Sequence, residues 1–199
     1  MFWDKVSPIY DLVENIYNRK VYNGTGKKVA ELIDDSDLVL ECACGTGAIT
    51  VIIASACNRL VATDFASGML KRAQKKCSAM SNITFEKADI TDLGYPENSF
   101  DKVIAGNVIH LLAKPEKAMA ELERVAKPGG KIIIPTYINK SKGSSRHAVK
   151  VFELFGANFN QQFDLESYKA FFNELGYEDV DYSVVDGRMP CAIAVITKV

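Results

Sequence analysis

The stretch Glu41-Cys42-Ala43-Cys44-Gly45-Thr46-Gly47 sets a carboxylate, two thiols and two glycines between a short apolar run and a segment of helical pattern. Gly45 and Gly47 let a backbone turn tightly and come against a ligand without Cβ interference. A dinucleotide fingerprint G-x-G-x-x-G would need its last glycine where the chain has Thr50. The Glu41 carboxylate would also repel a pyrophosphate, and instead suits a ligand carrying an ammonium or sulfonium charge. Asp64 follows the next apolar run, and an acid at a strand end can accept both hydroxyls of a ribose. Asp89-Ile90 follows the third run and Asn107 the fourth. Four successive strand ends thus offer polar groups along one edge of a parallel sheet, the edge outside which ligands bind. Each also has a plain reading, as helix caps for Asp64 and Asp89 and a turn residue for Asn107. His110, just after Asn107, is the candidate general base, with packing or hydrogen bonding at a loop as the favoured reading.

These residues need a frame. Apolar runs at Leu38-Val39-Leu40, Leu60 to Thr63, Ile83 to Phe85, Lys102 to Ala105 and Lys131 to Ile134 read as five strands. Pro128-Gly129-Gly130 signals a turn before the last of them, and Pro135 is expected to mark its end because proline cannot donate to a ladder. Between the runs the period changes: Met69, Leu70, Ala73, Cys77 and Met80 share one helical face, as do Ala118, Met119, Leu122, Val125 and Ala126 behind Pro115. Strand and helix in alternation predict a parallel sheet covered on both faces. Tyr182 to Val185 and Ala192 to Ile196 are separated by a link too short for a helical crossover, so they are expected to pair antiparallel. The fold class is therefore α/β: a doubly wound, Rossmann-like sheet of seven strands, five parallel plus a C-terminal antiparallel hairpin, with helices on both faces.

One domain is expected over residues 1–199, divided into an N-terminal helical cap (1–36), a cofactor-binding half (37–137), an excursion that could cover the site (138–163) and a C-terminal helix and hairpin (164–199). The cap carries an aromatic-rich stripe that includes Trp3, Tyr10, Tyr17 and Val21; Tyr10 could touch a ligand or belong to the core. The excursion opens with the basic stretch 140–150, where His147 reads as a solvated loop residue and the lysines as a solvated face. The chain has 48% hydrophobic residues and 24 basic against 25 acidic side chains, proportions of a globular domain rather than of a dedicated nucleic-acid binder. No apolar run approaches the roughly 20 residues of a membrane helix. Five cysteines without a metal-type spacing read as reduced, mostly buried thiols, which argues for the cytoplasm and against a disulfide framework or a metal site.

Residues 38–135 resemble a class I S-adenosylmethionine-dependent methyltransferase of the ubiquinone/menaquinone-biosynthesis type. Glu41 to Gly47 resembles its first motif, Asp64 its ribose acid, Asp89-Ile90 its adenine-binding pair, Ser99 to Val103 the entry to strand four and Val125 to Lys131 the turn before strand five. Trp3 to Asp11 resembles that family's lead-in, and Ala43 departs from it by standing where many members have glycine. The resemblance implies S-adenosylmethionine as cofactor and S-adenosylhomocysteine as product. It implies that Glu41, Ala43, Gly45, Gly47 and Asn107 lie along the methionine end, that Asp64 takes the ribose, and that Phe65, Met69, Asp89 and Ile90 hold the adenine. The implied partner is a small-molecule methyl acceptor for a monomer or homodimer, with no nucleic acid and no integral membrane segment. Two alternatives stay open: a nicotinamide-dependent oxidoreductase on a similar fold, and a cofactor-binding protein without methyl transfer.

Overall fold

The computed structural model describes Trp3 and residues 18–139 and 161–199. Seven strands form one sheet: β1 (Leu38–Cys42), β2 (Arg59–Asp64), β3 (Ile83–Lys87), β4 (Phe100–Ala105), β5 (Ala126–Tyr137), β6 (Val180–Val185) and β7 (Cys191–Thr197). Their order is β3-β2-β1-β4-β5-β7-β6. The first five pair parallel, while β7 runs antiparallel between β5 and β6. The strand order reverses between β1 and β4, the switch point beside which ligands bind in sheets of this kind.

Period-two alternation decides what each strand buries. Leu40, Cys42, Val61, Val103, Ala105, Ile132 and Ile134 enter the core on one face, packed with helices α4 (Pro115–Val125) and α5 (Leu165–Glu174). Val39, Leu60, Ala62, Ile104, Ile133, Ile193 and Val195 enter the other, packed with helix α1 (residues 18–30), the short α2 (Thr50–Ile53) and α3 (Ser67–Lys76). Burying each of the larger side chains contributes about 1.5–3 kcal/mol, and both faces of the central strands are used. Pro115 begins α4, where its missing N–H costs nothing. Asp164 and Ser167 close a reciprocal capping box at the start of α5.

One feature departs from the sequence expectation, and a second is not evident from the sequence pattern. Pro135 lies inside β5, paired with Ile193, and β5 continues to Tyr137. Its carbonyl accepts from Asn107 N (2.7 Å) on the β4 side, where β4 has already ended. The missing N–H faces that same side, so no ladder bond is lost. The turn Asp34 to Asp37 is polar in composition, yet Asp37 is buried and pairs with the buried Lys102 ammonium (2.8 Å). Asp37 also accepts from Asp34 N (2.7 Å), and this closes the sheet end opposite the glycine-rich loop.

Helix α1 is fastened to the hairpin turn between β6 and β7. Buried Asn18 donates through Nδ2 to Met189 O (2.7 Å) and accepts from Met189 N (3.4 Å). The contact is close: a Cβ on Gly187 would lie 2.1 Å from Val21 Cγ2, and one on Gly24 2.7 Å from Val185 Cγ1. All five cysteines are buried and none is disulfide-bonded. No helix among the described residues is long and apolar enough to cross a membrane.

Candidate functional site

A cavity of about 330 Å³ opens at the C-terminal ends of β1, β2, β4 and β5, roofed by Trp3 and the Tyr22 and Thr25 face of α1. The loop after β1 reaches it through backbone in the left-handed region: φ is +53° at Ala43, +57° at Gly45 and +82° at Gly47. For glycine this is free, whereas for Ala43 it costs about 1–2 kcal/mol. The loop is held from β2. Asp64 accepts from Gly45 N (2.8 Å) with one carboxylate oxygen and from Ala66 N (2.8 Å), at the entry to α3, with the other. Gly47 packs against α3 so closely that a Cβ would lie 3.1 Å from Ala73 Cα.

Glu41 carries the electrostatic weight of the cavity. It has the strand parity of Val39 and is only 2% exposed. Its Oε2 has no hydrogen-bond partner among the described residues. Burial raises its carboxyl from the ordinary 4.5 to about 8; the Thr50 hydroxyl lowers it in part, and the nearby Asp64 charge raises it further. The charged residues lining the cavity are Glu41, Asp64 and Asp89, with no lysine or arginine among the described lining residues. Burial also pushes the Cys42 and Cys44 thiols up, so both stay neutral and inert as nucleophiles.

The structure brings Glu41, Ala43, Gly45, Asp64, Phe65, Met69, Asp89, Ile90 and Asn107 to this one cavity. Gly47 stands behind it, shaping the loop, and Tyr10 and His147 lie outside the described residues. The helix-cap readings do not hold: the N-cap of α3 is Ala66, whose N–H donates to Asp64, and no helix begins after Asp89, whose Oδ1 accepts from Thr91 N (2.9 Å) and Thr91 Oγ1 (2.8 Å) in a turn. Asn107, at φ +53°, accepts from Tyr137 N (3.0 Å) and so ties the β4 end to β5. Phe65 stands 49% exposed at the edge of the cavity with Lys87 Nζ 5.6 Å from its ring centroid. His110 does not line the cavity; its ring is buried, and burial lowers it to about 4. Sequence reasoning missed Tyr22, Thr25, Thr46, Tyr137 and the Leu111-Leu112 wall. A signal was present for two of them, since Tyr22 and Thr25 are a polar pair one helical turn apart within an apolar stripe.

Residues 40–134 match the family model described as a methyltransferase domain. The ubiquinone/menaquinone biosynthesis C-methyltransferase UbiE of Bdellovibrio bacteriovorus is 34% identical over 137 residues, which cover 66% of this chain and 58% of the relative. The chain spans 55–60% of the length of three such curated relatives. Among solved structures, a methyltransferase described as a possible histamine N-methyltransferase from Thermotoga maritima superposes with a TM-score of 0.77 at 17% identity, covering 100% of this chain and 99% of that one. The magnesium protoporphyrin IX methyltransferase of Synechocystis, solved with S-adenosylhomocysteine, gives a TM-score of 0.67 at 18% identity over 88% of this chain and 83% of that one. At such identities the structural matches speak for the fold alone. Fold, motif positions and sequence relatives agree in supporting a class I S-adenosylmethionine-dependent methyltransferase of UbiE type.

Proposed function

We propose that this protein transfers a methyl group from S-adenosylmethionine, in line, to a small-molecule acceptor and releases S-adenosylhomocysteine. The observation that carries the reading is the buried, unpartnered Glu41 oxygen in a cavity whose charged lining is acidic. A cationic nucleoside fits such a wall, whereas a pyrophosphate would meet the Asp64 and Asp89 carboxylates, the Glu41 carboxyl and no lining cation among the described residues.

In this reading Glu41 takes the ammonium of the cofactor and Asp64 the ribose hydroxyls. Asp89 accepts from the adenine amino group, the Ile90 N–H meets a ring nitrogen, and Phe65, Met69 and Ile90 flank the ring. Ala43, Gly45 and Gly47 hold the loop in the turn that lets backbone approach the methionine portion, and Asn107 fixes the β4 end beside it. Tyr10 belongs to the same site by its place in the lead-in motif. When bound, the sulfonium supplies an electrophilic methyl group. The protein contributes alignment of the acceptor and exclusion of water, effects worth several kcal/mol of the barrier. Val108, Leu111, Leu112 and Tyr137 form an apolar wall, which suits a ring-bearing acceptor of the sort the names of the quinone-pathway relatives imply. His110 is buried and does not line the cavity, and no part in proton removal is assigned to it. Buried thiols and near-neutral charge support a cytoplasmic monomer or homodimer that does not act on nucleic acid. The domain division rests on the same footing, with 1–36 as cap, 37–137 as cofactor half, 138–163 as cover and 164–199 completing the sheet.

Calorimetric titration with S-adenosylhomocysteine, with NADH as control, tests the proposal. Saturable binding of the first alone is expected. Saturable binding of NADH, or no binding of S-adenosylhomocysteine by folded protein, overturns it.

A further inference from the structure

We propose that Glu121 and Arg124, a pair on α4 outside the cavity, are positioning residues that set how sharply the cavity tells one nucleobase from another. The inference rests on the cofactor reading above, in which Asp89 and Ile90 meet the base edge, and goes beyond it to the residues that hold that edge in place.

Residues 88–99 join β3 to β4 without a helix, and their strand-type pairing is a single isolated bridge between Asp89 and Asp92. A segment with so few internal bonds is placed by the groups its backbone meets elsewhere. Its first residues, Ala88, Asp89 and Ile90, line the cavity, whereas Glu121 and Arg124 do not. Yet the segment is fastened to that pair. Leu93 N, directly after the Asp89–Asp92 turn, donates to Glu121 Oε2 (2.9 Å). Arg124, nearly one helical turn on, donates through Nε to Glu121 Oε1 (2.6 Å) and through Nη2 to Glu121 Oε2 (2.8 Å). Its Nη1 donates to Tyr95 O (2.6 Å). The guanidinium is a rigid planar fork, so one side chain fixes the spacing of helix, carboxylate and loop. The Arg124 hydrogen bonds hold the Glu121 carboxyl below its ordinary range, which keeps it an acceptor for Leu93 N. Beyond the pair, the Tyr95 hydroxyl donates to Glu86 Oε2 (2.6 Å) on β3, and its ring meets Phe100 of β4 edge-on.

What the clamp holds is a pattern of donor and acceptor. Asp89 Oδ1 is occupied by Thr91 N and Oγ1, which leaves Oδ2 for a ligand donor. A carboxylate beside a backbone N–H complements an amino group beside an unprotonated ring nitrogen. It opposes a carbonyl beside a protonated one. Misplacing that edge by about 1 Å blurs both the match and the mismatch.

The test compares S-adenosylhomocysteine with S-inosylhomocysteine, in which the base carries a carbonyl and a protonated ring nitrogen instead. Wild type should prefer the first by about a hundredfold or more. Glu121→Leu, which leaves Leu93 N and Arg124 without their acceptor, should narrow that ratio at least about fivefold. Glu121→Gln keeps an oxygen for Leu93 N and should hold the ratio within about twofold of wild type. Arg124→Met frees Tyr95 O and carries the same test as Glu121→Leu should that variant not fold. A merely structural role weakens both ligands alike, so an unchanged ratio in Glu121→Leu or Arg124→Met overturns the proposal. Wild type that binds both ligands equally overturns the placing of the base at Asp89 and Ile90, and the proposal with it. Folded wild type that binds neither overturns the cofactor reading itself.

Discussion

Glu41→Gln separates charge from shape at the centre of the site. The folded apoprotein holds the Glu41 carboxyl at about 8 against an ordinary 4.5. A carboxyl raised in this way binds more protons folded than unfolded between those values, so it takes stability away as pH rises through that window. Fully developed above pH 8, the cost is on the order of 5 kcal/mol. The wild-type apoprotein should therefore lose melting temperature between pH 6 and 9 relative to Glu41→Gln, in which the titrating group is gone. Binding reverses the sign. A ligand ammonium at Oε2 needs the carboxylate, so binding at pH 7 should expel about 0.9 proton from Glu41 and strengthen about tenfold per pH unit from 5.5 to 7. Titration with S-adenosylhomocysteine in phosphate and in Tris buffer at pH 7 reads the proton directly, because the two buffers take it up with different heats. Glu41→Gln should bind more weakly and show no such difference between buffers. Equal heats in both buffers for wild type, or a proton count unchanged in the variant, would refute the assignment of the ammonium to Glu41.

Asp64→Ala removes the carboxylate that holds both Gly45 N and Ala66 N. It should cost cofactor affinity by about tenfold or more and also lower the melting temperature, since two charge-assisted hydrogen bonds are lost. Ala43→Gly relieves a left-handed alanine and should stabilise by up to about 1 kcal/mol, read as a calorimetric melting shift of a few degrees without loss of binding. Gly187→Ala should destabilise by driving a methyl group into Val21, and the double variant Val21→Ala/Gly187→Ala should recover much of the loss in a urea titration.

The frame was legible because it is written locally. Runs such as Leu60 to Thr63 and Lys131 to Ile134, their period-two burial and the Pro115 helix start depend on residues close in sequence. The strand-end acids were legible for the same reason: Glu41 and Asp64 follow directly from where the apolar runs stop. What could not be read depends on distant parts of the chain. Asp37 looks like a solvated turn residue until Lys102, 65 positions on, is seen against it. Pro135 looks like a strand terminus until β4 is seen to end beside it, which leaves no donor to lose. Ala43 can be flagged as a departure from glycine, but its φ of +53° emerges only once Asp64 is seen to pin Gly45, two residues on. Lys76 falls at the end of a basic helix and reads as solvated until Tyr22 and Thr46 close on it from elements more than 25 residues away.

The clasp between Asn18 and Met189 also sets an order of events at birth. During synthesis the glycine-rich loop and its acids emerge early, with most of the sheet still to come. The helix that carries Tyr22 and Thr25 cannot be fixed in place until the turn at 186–190 exists to receive it. The α1 side of the cavity therefore closes only after the final strand pair is made, so a closed cavity reports that the whole sheet has been completed.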